Sequence, residues 1–105
     1  MPWFFTHCRI RDRAFFELLY SSGLRVSEAF ALEVERVNFE DRVLLVKRGK
    51  GGKDRYIPFS KTALRFLVYY VNASRGKLGG ERPVKGSPEY LFLSPHGRLR
   101  YRNIR

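Results

Sequence analysis

An α+β fold, mainly helical with a small three-stranded antiparallel sheet, is what this 105-residue sequence predicts. Apolar residues recur at spacings of three and four in two separate stretches, residues 10–22 and 60–74, the signature of helices with one buried face. Between those stretches lie short strand-like runs separated by turn residues. The last two of these runs flank a glycine pair, Gly51-Gly52, which supplies the positive φ angles that a tight hairpin turn requires.

The first helix, over residues 10–22, carries Ala14, Phe15, Leu18 and Leu19 as its apolar stripe. Gly23 stops it, as a left-handed residue closing a helix does. A second helix opens around Val26-Ser27 and runs to Leu32 or Glu33, with Ala29, Phe30 and Leu32 facing inward. Ser27 is its expected cap, and Glu28 suits a first turn, where a carboxylate meets the helix dipole. Residues 34–39 form a short strand and Glu40-Asp41 a turn into the hairpin of residues 43–46 and 55–58. With a two-residue turn at Gly51-Gly52, Lys50 faces Lys53, Arg48 faces Arg55 and Val46 faces Ile57. Pro58 ends the last strand or sits at its edge.

A third helix follows over residues 60–74, with Leu64, Leu67, Val68 and Val71 on one face. Residues 76–87, rich in Gly, Pro, Lys and Arg, read as a loop. Tyr90-Leu91-Phe92-Leu93 is a short buried run, and the basic residues 97–105 read as the start of a further helix.

Composition narrows the function. With 44% hydrophobic and 15% aromatic residues the chain can fold, so it is not a disordered basic tail. Its 21 Lys and Arg against 10 Asp and Glu give a net charge of +11. That balance favours nucleic acid as partner, although charge alone does not separate DNA from RNA or an anionic membrane. The charge is concentrated: Lys47 to Arg55 holds five cations and one carboxylate, and Arg98 to Arg105 holds four arginines and no acid. Like charges opposed across a hairpin destabilise it by some tenths of a kcal/mol. The tip at Gly51-Gly52 reads either as solubilising charge on an exposed turn or, more sharply since such faces usually mix signs, as a tip that meets a polyanion, with a phosphate backbone the obvious candidate.

A single cysteine, Cys8, rules out an internal disulfide and every Cys-based metal cluster. His7, His96 and Cys8 offer no ligand set, and no phosphate-cradling glycine motif opens a helix, so no metal and no nucleotide cofactor are expected. The apolar N-terminal residues are followed, not preceded, by Arg9, Arg11 and Arg13, the wrong order for a signal peptide, and nothing reaches membrane-spanning length. A cytoplasmic protein without membrane attachment follows by default.

Three segments carry a family resemblance. RAFFELLYSSGLRVSEAFAL, residues 13–32, resembles the opening of the catalytic domain of tyrosine recombinases, the phage integrase family: a helix, a turn ending in Ser-Gly-Leu-Arg, then Ser-Glu and another helix. RGKGGKDRYIPFS, residues 48–60, is similar to a hairpin of that domain, and YLFLSPHG, residues 90–97, to the segment before its later helices. The first two together, in order and about 25 residues apart, are specific.

The resemblance implies roles position by position. Arg25 matches the first catalytic arginine, which clamps the scissile phosphate; a planar guanidinium suits that by paired hydrogen bonds to non-bridging oxygens. Glu28 matches the acidic residue supporting that arginine, and Lys50 the hairpin lysine that donates a proton to the departing 5′ oxygen, with Lys53 its rival. Arg48, Lys53, Arg55, Arg98 and Arg100 are expected DNA contacts. The partner so implied is double-stranded DNA, with no small-molecule substrate.

The sequence also departs from the family. The pattern requires a His-x-x-Arg motif, a second His or Trp and a distal tyrosine nucleophile. Three places after His96 stands Leu99, with Arg100 one residue late, and Tyr101 follows too soon to be the nucleophile. The chain therefore reads as about the first half of a catalytic domain, a single partial domain over residues 1–105 that binds DNA without cleaving it. The alternative is a non-catalytic nucleic-acid-binding or protein-interaction module of similar shape. Cut from its later helices, such a piece would leave the faces of Phe15, Leu18, Leu19, Leu64, Leu67 and Val71 uncovered, and self-association through them is expected.

Overall fold

A computed structural model describes residues 3–46, 54–75, 89–94 and 97–98, with side chains described from residue 8 onward and not beyond residue 93. Helix α1 spans Trp3–Ser22, α2 Val26–Phe30 and α3 Lys61–Tyr70, and α3 runs on into one wider π turn, Val71–Arg75. Strands β1 (Val37–Asn38), β2 (Val43–Val46) and β3 (Arg55–Pro58) form an antiparallel sheet in chain order. Strands β4 (Leu93–Ser94) and β5 (Gly97–Arg98) make a separate two-stranded pair. The predicted class, mainly helical with a three-stranded antiparallel sheet, is the observed one.

The stripe expected on α1 is the buried one, but on α3 Leu67 is buried with Ala63 and Tyr70 while Val68, expected on the inward face, is exposed. Ala14, Phe15 and Leu18 of α1 and Ala63, Leu67 and Tyr70 of α3 are buried, and these two faces pack together. Ser60 caps α3, its hydroxyl accepting from the Ala63 amide at 3.1 Å. Its own amide donates to the Ser21 hydroxyl at 3.3 Å, which ties the start of α3 to the end of α1. Arg13 adds a second tie, its guanidinium carbon 4.7 Å from the centre of the Phe66 ring.

The core is aromatic at its centre. Phe15 stacks on Phe30 at 5.1 Å and meets Phe92 edge-on at 5.1 Å, and Phe92 stacks on Tyr70 at 5.6 Å. Thus α1, α2, α3 and the 89–94 segment converge on one cluster. Buried polar groups hold that segment in place. The Tyr70 hydroxyl donates to the Leu91 carbonyl and accepts from the Leu93 amide, each at 2.9 Å. Arg75 donates to the carbonyls of Leu91 and Tyr90, and buried Arg11 to that of Leu93 at 3.2 Å while pairing with Asp12 at 2.8 Å. Burial pushes the Tyr70 phenol up to about 12, against the smaller pull of the Leu93 hydrogen bond and of Arg75 and Arg11. Burial likewise pushes the Cys8 thiol above its ordinary range, which disfavours the reactive thiolate.

Several expectations need correction. Helix α1 begins at Trp3, not residue 10, so the apolar N-terminal run belongs to it. Helix α2 is capped by Arg25, not Ser27, and stops at Phe30. The strand expected over 34–39 is a 3₁₀ turn, Val34–Arg36, followed by the two residues of β1. Gly97–Arg98, expected to open a helix, pairs instead with β4, Leu93 opposite Arg98 and Ser94 opposite Gly97.

The hairpin register differs by two residues from the one predicted. Val46 faces Arg55 and Leu44 faces Ile57. The far end of the pair decides this: the Phe59 amide donates to the Arg42 carbonyl at 2.9 Å, and Phe59 itself is buried. That register also lines up Val37, Leu44 and Ile57 across all three strands on the core face. A slip of two keeps every side chain on its own face, so the facing pattern survives although the partners change.

The case for uncovered helix faces is likewise overturned. Phe15, Leu18 and Leu67 are fully buried within the chain, and Leu19, Leu64 and Val71 are half-buried against the same core. Among the described residues the exposed large apolar side chains are Phe16, Tyr20, Tyr56, Val68 and Tyr69.

Candidate nucleic-acid interface

Arg25 stands where α1 hands over to α2. Gly23 closes α1 with φ +73°, its amide donating to the Leu19 carbonyl at 3.0 Å, and a Cβ there would meet nothing within 4 Å. Glycine is needed at this position for its backbone angle, not for room. Leu24 then drops into the core and Arg25 adopts extended backbone, φ −72° and ψ 147°, as the cap of α2. With Leu24 anchored on one side and the helix starting on the other, the Arg25 side chain projects to solvent. It has no hydrogen bond or ion pair among the described residues.

An arginine has no acceptor atom, so it cannot cap the free amides of α2 in the way a serine would. The reciprocal half of a capping box is present instead. The Arg25 amide donates to Glu28 Oε1 at 3.0 Å, Glu28 being the third residue of the helix. Glu28 thus bonds the main chain of Arg25, not its guanidinium.

The same carboxylate receives Arg55 from β3. One nitrogen, Nη2, lies 2.9 Å from Glu28 Oε1 and 3.1 Å from Oε2. The Arg55 Nε–H is buried and finds no acceptor among the described residues, so the grip is one nitrogen on two oxygens, not a fork on a fork. Val46 opposite Arg55 turns the arginine to the core face of the sheet, toward α2. Sequence reading placed Arg55 among the DNA contacts; its charge is met by Glu28 within the chain. The two residues lie 27 positions apart, in different motifs, and no local spacing connects them.

Arg48, Lys50 and Lys53 lie outside the described residues, as does Arg100. Arg98 falls within β5, with its side chain outside the description. What the described fold fixes is the base of the loop bearing Lys50: β2 ends at Val46, and β3 begins at Arg55, bonded to the helix that Arg25 caps.

Among the described residues no group of three or more His, Cys, Asp or Glu comes together to hold a metal ion, and no helix is long and apolar enough to cross a membrane.

Comparison with known proteins agrees with this architecture. Residues 5–105 match the model of the phage integrase family. The chain is 44% identical over 88 residues to the tyrosine recombinase XerD of Ralstonia nicotianae, covering 84% of this chain and 27% of the relative. It is 50% identical over 84 residues to the tyrosine recombinase XerA of Pyrococcus horikoshii, covering 80% of this chain and 26% of that one. Among solved structures it resembles the XerA recombinase crystal structure, with TM-score 0.70, 26% identity and coverage of 87% of this chain and 30% of that one. The Tn1549 transposon integrase in complex with circular intermediate DNA shares the fold, with TM-score 0.65, 21% identity and coverage of 81% and 32%. The chain thus spans about a quarter of the length of the curated relatives it matches. The Ser-Gly-Leu-Arg turn, the small sheet and the family match over residues 5–105 agree: the chain belongs to the phage integrase family of tyrosine recombinases, as part of the catalytic domain.

Proposed function

We propose that this chain is the portion of a site-specific recombinase catalytic domain that engages duplex DNA at the scissile phosphate, with Arg25 as its phosphate clamp. The observation that carries this is a contrast between two neighbouring cations. Arg55 is neutralised by Glu28, whereas Arg25 is exposed, extended and unpaired among the described residues. A guanidinium held ready by a fixed turn and left without a partner among the described residues is suited to two oxygens of a phosphodiester.

In strand exchange by this family the nucleophile and the leaving oxygen trade places on one phosphorus. The negative charge spread over the non-bridging oxygens must be met by cations converging from separate elements. Arg25 comes from the α1–α2 turn and Lys50, with Lys53 as rival, from the β2–β3 loop. Lys50 serves as the proton donor to the 5′ oxygen. The Tn1549 integrase structures are complexes with DNA, which supports duplex DNA as the partner. The sequence holds no His-x-x-Arg, so the chain by itself binds DNA without cleaving it.

Self-association belongs to the same reading, moved from the buried helix faces to exposed Phe16 and Tyr20, which lie one turn apart on α1. Sedimentation equilibrium of a Phe16→Ser, Tyr20→Ser double variant tests that part, and an unchanged mass distribution contradicts it. For the main proposal, the chain is incubated with supercoiled plasmid and with a short duplex. Retarded duplex with no covalent adduct is the expected result. Failure to retard either DNA overturns the proposal, and a covalent adduct overturns its non-cleaving part.

A further inference from the structure

We propose that Arg55 is a positioning residue that acts through Glu28 to fix the pose of Arg25, and is not itself a phosphate ligand. The inference rests on the reading of Arg25 as the phosphate clamp and deepens it.

The geometry forms a short chain of contacts. Arg55 Nη2 reaches both oxygens of Glu28, at 2.9 and 3.1 Å, and Glu28 Oε1 also accepts the Arg25 amide at 3.0 Å. One oxygen thus bridges the strand and the residue at the turn. Without Arg55 the Glu28 side chain would keep its reach but lose one of the partners that orient it, since a partly exposed glutamate on a first turn has several rotamers open to it. The need for such orientation is large here. Helix α2 has five residues, too few to hold itself by its own hydrogen bonds. Its cap residue has no acceptor side chain. The direction of Arg25 is therefore set by two anchors, Leu24 in the core and the Glu28 carboxylate on the Arg25 amide.

Arg55 is also the first residue of β3, held opposite Val46, the last of β2. A bond from that point to α2 fixes the root of the 47–54 loop relative to the Arg25 turn. A phosphate approaching Arg55 would meet the carboxylate already seated on its Nη2, whereas one approaching Arg25 meets a cation unpaired among the described residues. Neutralisation and position both favour the indirect role.

A double-mutant cycle separates the two roles. Duplex DNA affinity is measured at one salt concentration for the parent chain, Arg25→Ala, Arg55→Gln and the double variant. If Arg55 acts through Arg25, Arg55→Gln weakens binding in the parent but adds less than about twofold on the Arg25→Ala background. If Arg55 contacts phosphate independently, the two factors multiply and the salt slope falls by about one further unit in the double variant, which overturns the proposal. A DNA-free readout accompanies the cycle: exchange of the Arg25 amide proton by NMR, expected to speed up several-fold in Arg55→Gln because its acceptor is no longer oriented. Unchanged exchange overturns the proposal. If Arg25→Ala leaves DNA affinity intact, the phosphate-clamp reading fails, and the amide exchange still decides whether Arg55 holds the turn. Should Arg55→Gln not fold, Glu28→Gln replaces it in the cycle, since it keeps an acceptor for the Arg25 amide while removing the charge that attracts Arg55. The same non-additivity is expected, and multiplying factors overturn the proposal.

Discussion

Arg55 Nη2 and the Glu28 carboxylate, 27 residues apart in sequence, meet at 2.9 and 3.1 Å and join the base of the β2–β3 hairpin to the helix that Arg25 caps. The two side chains are about a third and a fifth exposed, so the pair is screened on one side and worth less than a buried one. Its importance lies in what else the carboxylate holds. Glu28→Ala removes the acceptor of the Arg25 amide together with the counter-ion of Arg55, and should cost about 1–2 kcal/mol of stability. Urea denaturation checks this, and a loss no larger than a typical exposed substitution would contradict the capping role.

Tyr70 makes stability depend on alkaline pH. Its phenol is pushed up to about 12 in the fold and returns to an ordinary value near 10 on unfolding. Between those values the native state keeps a proton that the unfolded chain has released, so stability is full below pH 10 and falls as pH rises toward 12. Other tyrosines and lysines titrate there too, so the comparison is with Tyr70→Phe. The variant should be about 1–3 kcal/mol less stable at neutral pH, because the Leu93 amide loses its acceptor. Its stability should then decline less steeply above pH 10, and parallel curves for the two proteins would contradict the assignment.

Two adjacent phenylalanines test the helix face. Phe15 is fully buried between Phe30 and Phe92, while Phe16 beside it is half exposed. Phe15→Ala should cost about 3–5 kcal/mol and Phe16→Ala well under 1 kcal/mol. Thermal denaturation decides it, and similar losses for both would mean that α1 is rotated from the orientation described.

Gly23 offers a test of backbone against space. A methyl group there has room, so Gly23→Ala should be destabilising by about 1 kcal/mol from the positive φ alone, and Gly23→Asn by less, since asparagine tolerates the left-handed region. Equal stability of the glycine and alanine forms in chemical denaturation would contradict the angle.

The sequence carried the bodies of α1 and α3, the strands β2 and β3 and the Ser-Gly-Leu-Arg turn because each is written in local spacing: a stripe at three and four, a glycine at a helix end, alternating faces. It missed what depends on distant partners. The hairpin register agrees with the Phe59–Arg42 hydrogen bond and with Val37, Leu44 and Ile57 aligning across the sheet. Helix α2 was given a serine cap because serine favours caps, but the Glu28 carboxylate on the Arg25 amide moved the cap two residues earlier. Arg11 and Arg75 bind the main chain of the 89–94 segment, a role that no local spacing signals. Arg25 was legible because its motif is contiguous. The employment of Arg55 by Glu28 was not, because 27 residues of chain separate them.

The central claim, that the chain meets a DNA backbone with Arg25 among its phosphate contacts, is tested most directly by duplex affinity as a function of salt. Fluorescence anisotropy with a labelled duplex is run between 50 and 200 mM salt for the parent chain and for Arg25→Ala. With a net charge of +11, several phosphates are neutralised on binding, and the affinity of the parent should fall by roughly 10³-fold or more over that range. Arg25→Ala should bind more weakly at low salt and show a slope of log affinity against log salt shallower by about one unit, as the loss of a single phosphate contact requires. A flat salt response of the parent, or identical slopes for the two proteins, would contradict the account.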